Sequence, residues 1–249
     1  MRIILFTKRN IKEILRDPIN LFFGLGFPLI LLVLLSVINA SIPPEANNPM
    51  FSIENLAPGL AMFGTAFMAL FTGMLVSKDR TSSFLMRLFA SPMTSFDFIL
   101  GYTLPMLVMS LAQAAITLLA SCIAGLELSG NLLLAILVTM LTSLLFVGFG
   151  LLFGSLLNDK AVGGICGALL TNVAGWLSGV FIPIDLIGGA FKKAAEILPF
   201  YHSVQAIKAT LDGNFVEILP HLIIVLGYTI VIFILAIIVF HRRMSGDKA

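Results

Sequence analysis

The sequence predicts an all-α integral membrane fold. Its parts are six transmembrane helices, an N-terminal amphipathic interfacial helix, a short cytoplasmic helix and re-entrant helices between spans five and six. Three observations carry this. Of 249 residues, 59% are apolar and 11% charged, against roughly a quarter charged in soluble domains. A chain this size cannot cover so much apolar surface with polar groups, so its solvent is lipid. Six stretches reach or approach the ~20 apolar residues that a bilayer core demands. Basic residues gather on alternate loops. The whole, residues 1–249, reads as one transmembrane domain.

Residues 1–20 open it. Ile4, Ile11 and Leu15 share one side of a helix, ringed by Lys8, Arg9, Lys12 and Arg16, and Asp17-Pro18 stops it. Such a helix lies at the cytoplasmic interface. No apolar run followed by a small-residue cleavage site appears here, so a cleaved signal peptide is not expected. Span one, Leu21–Ile38, is short and carries Gly24, Gly26 and Pro28, and a Pro-rich polar loop follows. The remaining spans read Leu56–Val76, Phe98–Gly125, Leu132–Leu157, Val162–Ile182 and Ile218–Phe240. Cys122 and Cys166 fall inside them as packing thiols, with no disulfide or metal spacing.

Between spans two and three, residues 77–97 contain Phe84, Leu85, Leu88 and Phe89 on one apolar face, with Arg87 opposite. Ser82 or Ser83 can cap this short helix and Pro92 disfavours its continuation. It either rests on headgroups or plugs a groove on a partner protein. Residues 183–217 are too polar to span and too apolar for a free loop. Pro183, Pro199 and Gly213 punctuate two short helices there, expected to dip into the outer leaflet.

Loop charge sets the orientation. Twelve of the fifteen basic residues fall before span one, between spans two and three, between four and five, or after six; only Lys192, Lys193 and Lys208 lie opposite. Both termini are therefore expected in the cytoplasm. A net charge of +2 with no basic run excludes a nucleic-acid partner.

Chemistry is sparse. No Asp, Glu, Lys or Arg falls within the predicted spans, which weakens an ion-coupled carrier. Gly175-Trp-Leu-Ser178-Gly179 has the wrong spacing for a protease nucleophile turn. No zinc-binding His-Glu-x-x-His and no phosphate loop occur, so the chain is not expected to be an enzyme or to bind a cofactor itself. The uncharged polar residues of the spans read mostly as hydroxyls bonded to their own helix or a neighbour. Gln113 and Asn172 stand apart, because a primary amide is costly against lipid. With Trp176 they are candidates for lining a substrate path. The pairs Gly150–Gly154 and Gly163–Gly167 permit close helix approach, within the chain or against a second copy.

Two segments carry a family resemblance. Asp79-Arg80, Leu85, Leu88 and Ser91-Pro92 answer the charged pair, Leu-x-x-Leu and Ser/Thr-Pro that follow span two in the type-2 ATP-binding-cassette permeases. Ser178, Gly179, Pro183, Pro199, Ile207 and Lys208 answer that family's Ser-Gly-x-x-x-Pro and later Pro…Lys/Arg positions. Thr81-Ser82-Ser83 replaces the usual Gly-Thr, and Ile187-Gly188-Gly189 replaces a second proline. The chain thus resembles this family over nearly its whole length.

The resemblance implies a permease subunit of a bacterial exporter, multi-pass in the cell membrane. Its partners would be an ATPase subunit that holds ATP and Mg, and a second permease copy or close homologue. Phe84, Leu85, Arg87, Leu88, Phe89 and Pro92 would then form the ATPase-coupling helix. An amphipathic or lipophilic cargo suits the uncharged spans. The alternatives are an ion-coupled carrier or channel, and a membrane sensor or immunity subunit.

Overall fold

The structure, a computed structural model, describes residues 2–43, 51–82, 84 and 94–246. Among these every regular element is helical. The elements are α1 (Arg2–Leu15), α2 (Pro18–Ser41), α3 (Ile53–Thr81), α4 (Ser95–Ile123), α5 (Asn131–Leu156), α6 (Asp159–Leu177), α7 (Ile184–Ile187), α8 (Gly189–Ile197), α9 (Pro199–Leu211) and α10 (Phe215–Gly246). Six helices, α2 to α6 and α10, are long and apolar enough to cross a membrane. They are spans one to six. The chain is a multi-pass membrane protein.

Several boundaries have a local cause. Asp17 ends the approach of α1 and caps α2 by accepting from the Ile19 and Asn20 amides, with Pro18 at the first helical position. Inside α2, residues Phe22–Gly26 widen into a π-helical turn. Pro28 cannot donate to, and would crowd, the Gly24 carbonyl four residues back, and the wider turn gives that carbonyl room. Thr94 and Asp97 form a reciprocal capping box that starts α4.

Span two is the axis. Most of α3 is buried, 89% of its apolar window against 17% for α2 and 22% for α10. Its glycines let neighbours in. A methyl group on Gly150 would come 2.6 Å from the Ala69 carbonyl, and one on Gly154 would come 2.6 Å from that of Gly73. The Gly150–Gly154 pair therefore packs within the chain. Gly163 and Gly164 face open space, while Gly167 meets Leu70.

On α1, Ile4 and Leu15 of the apolar side are exposed, while Phe6, Asn10 and Ile14 are buried against the bundle. One expectation is corrected. Span five ends at Leu177 and does not continue to Ile182. Gly179 takes a left-handed φ of 84°. Val180 then packs at Gly59, and Phe181 turns back onto Gly175 and the Phe63 ring.

Candidate coupling site at the charged end of the bundle

Span two extends past the predicted Val76 to Thr81, so Ser77-Lys78-Asp79-Arg80 stays on helical spacing at the bundle's end. Asp79 is 2% exposed. A carboxylate so placed costs several kcal/mol unless paired and hydrogen-bonded, and it is both. The Arg9 guanidinium grips it with two parallel hydrogen bonds, the longer at 2.7 Å. The Tyr102 hydroxyl donates to it at 3.0 Å. Arg9 also meets Glu13 at 2.6 Å and donates to the Asn10 side-chain oxygen at 2.9 Å. Burial pulls the Arg9 pKa down, but the Asp79 carboxylate outweighs it, and the group ends above its ordinary value.

This cluster joins elements distant in sequence. Asn10, fully buried, donates to the Gly101 carbonyl at 2.9 Å. Phe6 sits where any side chain on Gly101 would overlap it, edge-on to Tyr102 at 5.0 Å and Phe98 at 5.8 Å. Ser77 donates to Asp159 on α6. Arg80 donates to the Ser155 and Leu157 carbonyls at 3.1 and 2.6 Å, filling acceptors that the end of α5 leaves open. Four helices, α1, α4, α5 and α6, thus meet on the last two turns of span two.

Phe84 belongs to this hub. Its ring lies 4.3 Å under the Arg9 guanidinium carbon and stacks on Phe6 at 6.5 Å. Leu85, Arg87, Leu88, Phe89 and Pro92 lie outside the described residues.

The other predicted site residues do not share one place. Gln113 is fully buried, and a side chain on Gly64 would overlap its amide, with Pro28 of α2 beside it. Its nitrogen donates to Thr117 at 3.1 Å, while its oxygen has no partner among the described residues. Asn172 and Trp176 lie one turn apart on the exposed face of span five, and the Asn172 amide donates to the Ala168 carbonyl at 2.7 Å.

The turn residues have structural partners. Ser178 bonds the Gly175 carbonyl at 3.0 Å, Gly179 supplies the left-handed turn, and Pro183 precedes α7. Pro199 opens α9, and Lys208 on that helix donates to Asn55 at the start of span two. The hydroxyls of Thr65, Thr72, Ser110, Thr139, Thr142, Ser143 and Thr171 bond carbonyls of their own helices.

Sequence reasoning missed Arg9 as the partner of Asp79, and with it Asn10 and Tyr102. The available signal was an acid ending an apolar span, with basic residues on the amphipathic helix before it. It also missed a histidine pair at the other end. His202 of α9 bonds the Glu196 carbonyl through Nε2 at 2.7 Å and His221 Nδ1 through its own Nδ1 at 2.8 Å. A carbonyl only accepts, so a neutral His202 carries its proton on Nε2 and accepts from His221.

Comparison with known proteins then fits the fold. The ABC-2 type transporter family matches residues 1–211. The chain is 27% identical over 188 residues to the probable multidrug ABC transporter permease YbhR of Escherichia coli K12, and equally to that of strain O157:H7. Each alignment covers 73% of this chain and 50% of the relative. The chain spans about half the length of these relatives. With six apolar helices packed round span two and a family match running from the first residue into α9, the chain belongs to the ABC-2 type transporter family.

Proposed function

We propose that this chain is the permease subunit of a bacterial ABC exporter, with a separate ATPase subunit hydrolysing Mg-ATP and an amphipathic or lipophilic molecule as cargo. The observation that carries this is the family match over residues 1–211. The sequence fits it, having no phosphate loop and an apolar helix-forming stretch at Phe84–Phe89. That stretch is proposed as the plug into the ATPase, with Arg87 and Pro92 shaping it. Its root at Phe84 touches Arg9 and Phe6, so ATPase movement would reach α1 and span two together.

A second permease copy is proposed to cover span five. That helix is the least apolar of the six spans, yet only a third of it is buried. Its open face carries Asn172, whose amide is costly against lipid. Asn172 and Trp176 would line the cargo route beside the second copy. Gln113 would join the route only if spans one and three part during the cycle.

Replacing Leu85 and Leu88 with Asp tests the coupling role. Loss of ATPase copurification and transport, with normal membrane insertion, is expected. Undiminished copurification in a correctly inserted double variant would overturn the reading and leave the segment as an interfacial helix.

A further inference from the structure

The packed face of α1 is accounted for by Phe6, Asn10 and Ile14, and Arg9 by its partners Asp79 and Glu13. The opposite face has no such account. Lys8, Lys12 and Arg16 recur one turn apart, all exposed, along a groove of about 540 Å³ lined by them with Leu5, Arg9 and Glu13. Glu13, the acid of that groove, is held by Arg9 at 2.6 Å. Asp17, just past the helix end, faces Lys78 at 4.0 Å. Three positive charges therefore line one edge without an anionic partner among the described residues.

Apolar side chains alternate with them. Ile4, Leu5 and Leu15 are 70, 62 and 55% exposed. The connection fixes the level at which this face lies, because α1 ends at Leu15 and span one begins at Pro18. The end of α1 therefore lies where span one leaves the bilayer, at headgroup depth. Leucine and isoleucine can enter the acyl boundary there while ammonium and guanidinium tips reach up to phosphates.

We propose that the Lys8–Lys12–Arg16 edge of α1 is a binding site for anionic phospholipids, the positive tips holding headgroup phosphates and Leu5 lying against the acyl chains. The occupant is lipid because the charged tips are interleaved with large apolar residues and sit at headgroup depth. A basic edge near an anionic leaflet gains attraction with each added Lys or Arg. This site is separate from the ATPase-coupling role and does not depend on it.

The test uses the full chain with Trp176→Phe and Leu5→Trp, so that one tryptophan reports from the groove. The protein is placed in vesicles of equimolar phosphatidylglycerol and phosphatidylcholine, with acyl-chain bromines on one lipid or on the other. Brominated phosphatidylglycerol should quench the reporter at least about twofold more than brominated phosphatidylcholine. That preference should vanish in Lys8→Gln/Lys12→Gln/Arg16→Gln and persist in Lys192→Gln/Lys193→Gln. Equal quenching by both lipids with the native charges present overturns the proposal, whether or not the triple variant folds. Absence of quenching by either lipid also overturns it, and would put a protein surface on this face.

Discussion

Asp79 is the residue on which the charged end depends most. Asp79→Asn keeps the shape but removes the charge that holds Arg9, and should cost about 1.5–3 kcal/mol. Thermal unfolding in detergent reads this as a lowered midpoint, and the Arg9→Asp/Asp79→Arg exchange should recover part of it. An unchanged midpoint in Asp79→Asn would mean the pair contributes no net stability. The sign with pH follows from Arg9. Its folded pKa is raised, so its contribution is complete below its unfolded value and fades only as pH climbs past the folded one, far above neutrality. The latch therefore holds across the neutral range. Gly64→Ala is a second test, because the new methyl would strike the Gln113 amide. A loss of about 1–3 kcal/mol is expected. Adding Gln113→Ala should return much of it, as a double-mutant cycle of unfolding midpoints would show. Simple additivity of the two changes would contradict the contact.

Between elements, the two glycine pairs behave differently. Gly150 and Gly154 let span four lie against the Ala69 and Gly73 backbone of span two, whereas in the Gly163–Gly167 pair Gly163 faces open space, as does its neighbour Gly164, and only Gly167 meets Leu70. Gly154→Leu should therefore lower the unfolding midpoint sharply or prevent folding. Gly164→Leu should leave the chain's own stability unchanged. If a second copy covers span five, Gly164→Leu should also abolish the crosslinked dimer in native membranes. A dimer that forms undiminished would move the contact to another face.

At the scale of the molecule, the charge asymmetry predicts that both termini face the cytoplasm. With Cys122 and Cys166 replaced, cysteines at positions 128 and 216 should react with an impermeant thiol reagent from outside. Cysteines at positions 12 and 160 should react only after the membrane is opened. Labelling of position 160 in sealed cells would reverse the orientation. The six spans were legible because bilayer thickness imposes a length on any helix that crosses it. The packed side of α1 was not. Periodicity finds the most apolar stripe, here Ile4, Ile11 and Leu15. In a membrane protein that stripe can face lipid while Asn10 turns inward to the Gly101 carbonyl. Nor could spacing pair Arg9 with Asp79, seventy residues apart. The early end of span five needed Gly179 in its left-handed turn and Val180 returning to Gly59, a contact between distant segments. Of the proposed coupling helix, the described residues reach only Phe84.

The enclosure of span two also bears on biogenesis. Span two leaves the ribosome before the helix that its glycines are cut to receive. The backbone of Gly73 is matched by Gly150 and Gly154, synthesised about eighty residues later, or roughly 4–16 s at 5–20 residues per second. In that interval a helix less apolar than span one or span four must stand in lipid with its grooves unfilled. Nascent chains stopped after span three should therefore leave span two retained at the insertion machinery, and chains stopped after span four should release it.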